Sequence, residues 1–217
     1  MIGMSTDSNY YIHHRKEMIP ALPENYERVL EVGCGEGRFR ANLDRTNEYW
    51  GLEPAPVAAE MAGEVLDKVL VGTYEERVQE LPEGYFDLII CNDVIEHMTD
   101  HDHFFRSIQS KLVPGGVLVA SIPNVRHILN LYELLIKKDW EYKEAGILDK
   151  THFRFFTEKS LRKTLDKHNF QIEYFQGINR YEGDSLLKGL LGQLVTRILG
   201  TDTRYLQFAI RVSMVDN

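Results

Sequence analysis

The chain has 217 residues, 43% of them hydrophobic and 27% charged, which fits a single globular domain, 1–217, with one core. Its 33 acidic and 25 basic side chains give a formal net charge of −8, which argues against a nucleic-acid binder that follows phosphates with a basic stripe. No leader-like segment opens the sequence, no run approaches the roughly 20 apolar residues of a spanning helix, and two cysteines are too few for a disulfide framework, so a reduced, cytoplasmic protein without membrane insertion is expected.

Before residue 25 the pattern is irregular, with Pro20 and Pro23 closing a short helix near Ile19. Arg28 to Val32 predicts a buried strand that runs into the glycine cluster Gly33-Cys34-Gly35-Glu36-Gly37. A helix is expected next, with Phe39 and Leu43 inward, and then a strand over Tyr49 to Leu52. Ala55 to Leu66 is alanine-rich and helical, and Lys68 to Val71 predicts a third strand.

Phe86 to Cys91 and Val117 to Ile122 are almost continuously apolar, as expected of strands covered on both faces. Between them Phe104, Phe105, Ile108 and Leu112 recur at helical spacing, and Pro114-Gly115-Gly116 turns the chain back into the sheet. A helix over about Val125 to Lys138 would turn Val125, Ile128, Leu129, Tyr132, Leu135 and Ile136 to one side. A second apolar helix is expected over about Ser185 to Leu199, where core packing is the simplest reading. Residues around Ile172 to Ile178 and Leu206 to Val212 alternate, which suits strands covered on one face. The expected fold is therefore α/β: a doubly wound, mostly parallel seven-stranded sheet with helices on both faces and an antiparallel C-terminal strand.

Glycines after a first strand let backbone approach a ligand and turn into a helix N-terminus. Glu53 lies about 20 residues beyond Gly33, where a carboxylate can hold two ribose hydroxyls. Nicotinamide enzymes use the same arrangement, so this pair alone leaves the nucleotide open.

The run Val29-Leu-Glu-Val-Gly-Cys-Gly-Glu-Gly-Arg-Phe39 resembles the first motif of class I S-adenosylmethionine-dependent methyltransferases, which share a Rossmann-like fold. Leu52-Glu53-Pro54, the Phe86-to-His97 segment and Leu112-Val-Pro-Gly-Gly-Val-Leu-Val resemble later motifs of that family, in its order. The resemblance implies S-adenosylmethionine as cofactor and S-adenosylhomocysteine as product. It implies contacts from Glu31, Gly33, Cys34, Gly35, Gly37, Glu53, Pro54 and Asn92, with Glu31 holding the methionine amino group. Where family members often carry an acidic residue for the adenine, this chain has Gly72-Thr73-Tyr74-Glu75, so Thr73 and the Tyr74 backbone are the expected substitutes.

Acceptor chemistry should lie past the carboxyl ends of the fourth and fifth strands. His97 and His152 are the candidate bases, since imidazole titrates near neutrality. Tyr11, Arg126, His127 and Arg154 are candidate acceptor contacts, and residues 1–25 and 125–157 candidate covers. The segments 123–127 and 148–157 resemble a bacterial subgroup associated with glycan pathways, implying a sugar-like or other hydroxyl-bearing small acceptor and O-methylation. N-methylation and a non-catalytic S-adenosylmethionine-binding module are the alternatives. No metal is expected as a requirement, although Asp93, Glu96, His97 and His152 resemble in type the ligands of some metal-dependent methyltransferases. The sequence leaves monomer and homodimer open.

Overall fold

The computed structural model describes residues 15–43, 48–182, 193 and 196–215. Seven strands form one sheet: β1 (Arg28–Val32), β2 (Glu48–Glu53), β3 (Lys68–Val71), β4 (Phe86–Asn92), β5 (Leu112–Pro123), β6 (Phe170–Arg180) and β7 (Tyr205–Met214). Their order is β3-β2-β1-β4-β5-β7-β6, with β7 antiparallel to both neighbours. The expected doubly wound sheet is thus observed, including its reversed last strand. The order reverses between β1 and β4, and open α/β sheets bind ligands beyond the strand ends at such a point.

β4 shows why its run is apolar without alternation. Phe86, Ile89 and Cys91 pack into the core on one face with Phe104, Phe105 and Ile108, whereas Leu88 and Ile90 pack on the other with Met18, Val29 and Tyr49. Successive side chains point to opposite faces, so a strand covered twice needs apolar residues at both parities.

The helices depart from expectation more than the strands. α1 (Pro56–Ala62) starts on Pro56 and stops before Gly63, short of Leu66. α2 (Tyr74–Arg77) is one turn, and α3 (His101–Lys111) carries the expected Phe104, Phe105 and Ile108 inward. Among the described residues after β1 the chain makes only a 3₁₀ turn, Arg38–Asn42, although Phe39 and Leu43 are buried as foreseen. Pro114-Gly115-Gly116 is absorbed into β5 as a bulge: Phe86 pairs Leu112, but Leu88 already pairs Val117.

The helix expected over 125–138 is broken into α4 (Ile128–Tyr132) and a wider π turn, Glu133–Lys137. The apolar stripe expected on one side of it does not face the core. Leu129, Tyr132, Leu135 and Ile136 are exposed, while His127 and Asn130 are buried. The Asn130 side-chain amide donates to the Val125 carbonyl at 2.6 Å, which fixes the opposite side of this turn against the protein. α5 (Glu158–Lys167) opens on a Thr157–Ser160 capping box and leads into β6. Most of the helix expected over 185–199 lies outside the described residues. Ile198 and Leu199, at its described end, are exposed. Among the described residues no helix is long and apolar enough to cross a membrane.

Candidate active site

The glycine loop lies at the carboxyl end of β1. Gly33 has φ +71°, and a Cβ there would meet Val94 Cγ2 at 2.6 Å, so the position needs glycine for both conformation and space. The Gly33 and Cys34 N–H groups both donate to the Leu52 carbonyl, at 2.7 and 3.1 Å. Gly35 N–H donates to Glu53 Oε2 at 2.9 Å, and Ala55 N–H donates to Oε1 at 2.8 Å. The loop is therefore tied to the end of β2 by the carboxylate expected to hold ribose. Each Glu53 oxygen keeps a second lone pair, so these bonds leave acceptor capacity. The Cys34 side chain is buried, and its Sγ occupies the space beside Gly51, so Cys34 offers a ligand only its backbone. Pro54 is exposed just beyond Glu53, and Gly37 turns the loop with φ +76°.

Glu31, one step before the loop, is buried, and Tyr49 O–H donates to its Oε2 at 2.7 Å. Burial pushes its carboxyl up to about 8, against the opposing Tyr49 bond. Burial also raises the Glu53 carboxyl, while the Ala55 and Gly35 N–H groups pull it down. At the end of β4 the Asn92 amide is buried, and neither its Oδ1 nor its Nδ2 has a protein partner. A buried orphan amide is costly and suits a position that a ligand satisfies. Asn92 and the glycine cradle are thus the observations that fit a bound nucleoside.

The substitutes expected for the adenine contact fare differently. Thr73 Oγ1 accepts from Glu76 N–H at 3.3 Å as the cap of α2. Tyr74 is buried, with its hydroxyl 2.9 Å from Ser107 Oγ. Both side chains have structural work, and only backbone remains for a ligand.

Asp93 is corrected as a metal candidate. Its backbone is left-handed, with φ +55°, and its carboxylate accepts from Arg15 Nη1, from Ser121 Oγ at 2.8 Å and from Gln207 Nε2 at 2.6 and 2.7 Å. Arg15 Nη2 also donates to Ser121 Oγ at 2.7 Å. This cluster joins the N-terminal segment, β5 and β7 at the lip of the site. Arg15, Ser121 and Gln207 were not legible as site residues, because no local motif announces them.

Glu96, His97 and His152 do converge: one ligand atom from each lies within 4.8 Å of the others. The backbone explains the meeting. The N–H groups of Phe153 and Arg154 donate to the Glu96 carbonyl at 2.8 and 3.1 Å, which seats residues 149–154 on the turn Ile95–His97. The two rings stand edge to face, 4.6 Å between centroids. His97 Nδ1 lies 3.2 Å from the Thr151 carbonyl, and His152 Nδ1 lies 2.9 Å from the Ile147 carbonyl. A carbonyl only accepts, so each neutral ring carries its proton on Nδ1 and keeps the Nε2 lone pair. Burial, reinforced by the neighbouring His152, lowers the His97 pKa and keeps that imidazole unprotonated at neutral pH.

The two candidate arginines are held by the protein. Arg154 donates to His101 Nδ1 at 3.1 Å and to the Thr99 carbonyl. Arg126 Nε donates to Asp202 Oδ2 at 2.6 Å, and its Nη2 to the Leu199 carbonyl. Both guanidiniums brace loops. His127 is buried and lines a cavity of about 320 Å³ together with Asn130, Lys143, Ile147, Leu148 and Leu206. Tyr11 lies outside the described residues.

A sheet of this order, a glycine loop bonded to an acidic residue ending β2, and an orphan amide ending β4 define an S-adenosylmethionine-dependent methyltransferase. A methyltransferase-domain family model matches residues 6–174, and the chain belongs to that family. Among curated proteins it is 28% identical over 160 residues to the ubiquinone biosynthesis O-methyltransferase of Aliivibrio fischeri (strain MJ11), covering 70% of this chain and 68% of that one. The mitochondrial protein of the same name from Mus musculus is 27% identical over 172 residues, 73% of this chain and 45% of that protein. The chain thus spans under half the length of that mouse relative. Among solved structures, a possible histamine N-methyltransferase from Thermotoga maritima superposes with a TM-score of 0.62 at 21% identity, covering 92% of this chain and 86% of that one. At that identity the superposition speaks for the fold.

Proposed function

We propose that this chain transfers the methyl group of S-adenosylmethionine to a hydroxyl oxygen of a small molecule. The observation that carries this reading is the pair of imidazoles, His97 on the turn after β4 and His152 packed against it, each with Nδ1 beside a backbone carbonyl and Nε2 uncommitted. The cofactor supplies a methyl already activated on a sulfonium. An acceptor oxygen forms the new C–O bond as the C–S bond breaks, and the electron pair of that bond returns to sulfur. The acceptor proton passes to His97 or His152, a transfer worth about 10²–10⁴-fold in rate. Glu31 holds the ligand's amino group, Glu53 its ribose hydroxyls, and Asn92 and the backbone of Gly33 to Gly37 complete the cradle. Residues 125–157, seated on Glu96 through Phe153 and Arg154, cover the acceptor side, and excluding water there prevents wasteful hydrolysis.

For the acceptor, the sequence favours a sugar-like hydroxyl, whereas relatives named for ubiquinone biosynthesis favour a ring hydroxyl of a quinone-type molecule. The cavity beside His127 decides for neither, because Glu133, Glu141 and Lys143 line it together with Ile147, Leu148 and Leu206. The test is a methyl-transfer assay with purified protein, S-adenosylmethionine and panels of ring hydroxyls, sugars, nucleotide sugars and amines, read by product mass. Methylated hydroxyls, of a ring or of a sugar, support the proposal and name the acceptor class, and His97→Gln lowers that kcat by about 10²-fold or more while leaving S-adenosylhomocysteine affinity unchanged. Transfer to amines alone, or cofactor binding without transfer to any panel member, refutes it.

A further inference from the structure

We propose that Glu96, His97 and His152 form a site for one divalent transition-metal ion of the zinc type, with coordination positions left over for water or an acceptor oxygen.

Three observations converge on it. Glu96 is fully buried, and neither carboxylate oxygen has a hydrogen-bond partner. A buried carboxyl with no partner is expensive, and a bound cation is one way to satisfy it. The nearest candidate donor, His152 Nε2, is 4.0 Å from Glu96 Oε1, too far for a proton shared between them to satisfy either group. Second, both imidazoles are held by backbone carbonyls on Nδ1, which leaves Nε2 as the free nitrogen. Orientation of a ligating histidine through its other nitrogen is the usual outer support of metal sites. The support extends further at His97, where Thr151 Oγ1 lies 3.0 Å from Nδ1 and 2.6 Å from Asp149 Oδ1. Third, the spacing is close to what an ion needs. Ligands around a tetrahedral zinc lie about 3.4 Å apart, so the present spread of up to 4.8 Å requires a contraction of at most about 1.4 Å. Small side-chain rotations on the turn at 95–97 and the loop at 149–152 supply it.

The donor set selects the ion. Two imidazoles and one carboxylate suit zinc, cobalt, nickel or ferrous ions, whereas magnesium and calcium prefer oxygen donors. Asp93, the fourth acidic or imidazole candidate, is committed to Arg15, Ser121 and Gln207 and stays outside the site. Three protein ligands leave the open position typical of catalytic rather than structural zinc. An ion there would occupy both Nε2 lone pairs, so in the metal-bound protein the acidified acceptor oxygen would lose its proton to solvent rather than to His97 or His152, and the dication would stabilise the negative charge left on it. That role rests on the O-methyl transfer proposed above, but the binding itself does not.

The experiment uses the full chain stripped of metal and titrated with cobalt(II), whose visible absorption reports four- or five-coordination. Saturation at one equivalent, a rise in Tm with zinc, and loss of both in Glu96→Gln and His152→Ala support the site. S-adenosylhomocysteine must still raise the Tm of both variants, which certifies that they fold. Restoring zinc to stripped enzyme should raise kcat/KM by about 100-fold. No cobalt spectrum in the wild type, or an undiminished one in Glu96→Gln, overturns the proposal. Full methyl transfer by metal-free protein overturns the catalytic role given to the ion while sparing the proposed function. One equivalent of cobalt bound without transfer to any acceptor instead sinks that function and spares the site.

Discussion

Lowering the pH from 7.5 to 6.0 should weaken S-adenosylhomocysteine binding by roughly 25-fold, and Glu31 is the reason. Its carboxyl is pushed up to about 8 by burial, yet holding a ligand ammonium requires the ionised form. With that value about 24% of the free protein has Glu31 ionised at pH 7.5 and about 1% at pH 6.0. The ratio of these populations is the expected ratio of dissociation constants, equivalent to about 1.9 kcal/mol. Both pH values leave the ligand amino group largely protonated, so the change reports the protein. Isothermal titration at the two pH values, in buffers of different ionisation enthalpy, should also show a proton released on binding. Glu31→Gln should bind more weakly at pH 7.5 and lose most of the slope. Equal affinity at both pH values in the wild type, or an undiminished slope in Glu31→Gln, would refute the reasoning. The ligand-free protein carries the complementary signature. A carboxyl raised from its ordinary 4.5 to about 8 binds its proton more tightly when folded. Its contribution to stability is therefore complete below pH 4.5 and is lost as the pH climbs towards 8.

Two further perturbations test the frame of the site. Glu53→Ala removes the acceptor of the Gly35 and Ala55 N–H groups and the proposed ribose contact. It should weaken S-adenosylhomocysteine binding by about 1–3 kcal/mol in titration calorimetry, and unchanged affinity would remove Glu53 from the ribose site. Arg15→Met leaves Asp93, whose side chain is 18% exposed, without its cationic partner. The expected loss is about 1–3 kcal/mol by urea unfolding, below the cost of breaking a fully buried pair because solvent reaches both groups. Wild-type stability in that variant would show that the N-terminal segment does not depend on this anchor.

What the sequence determined by itself is whatever short-range order can encode. The seven strands were legible because parity and apolar runs reflect which faces are covered, as Leu88, Ile89 and Ile90 illustrate by alternating between the two cores. The glycine loop and Glu53 were legible because a nucleotide cradle is built from one strand, one turn and the next strand end. The tertiary structure alone decided which polar side chains meet. Asp93 and Glu96 are three residues apart and chemically alike, yet one is locked by Arg15, 78 residues away, and Gln207, 114 residues away, while the other is left buried and unpartnered beside two imidazoles. The direction of the apolar stripe on α4 was likewise settled by contacts distant in the chain. Periodicity shows that one side of a helix is apolar, but whether that side meets the core depends on how the segment docks, and here His127 and Asn130 took the inner position.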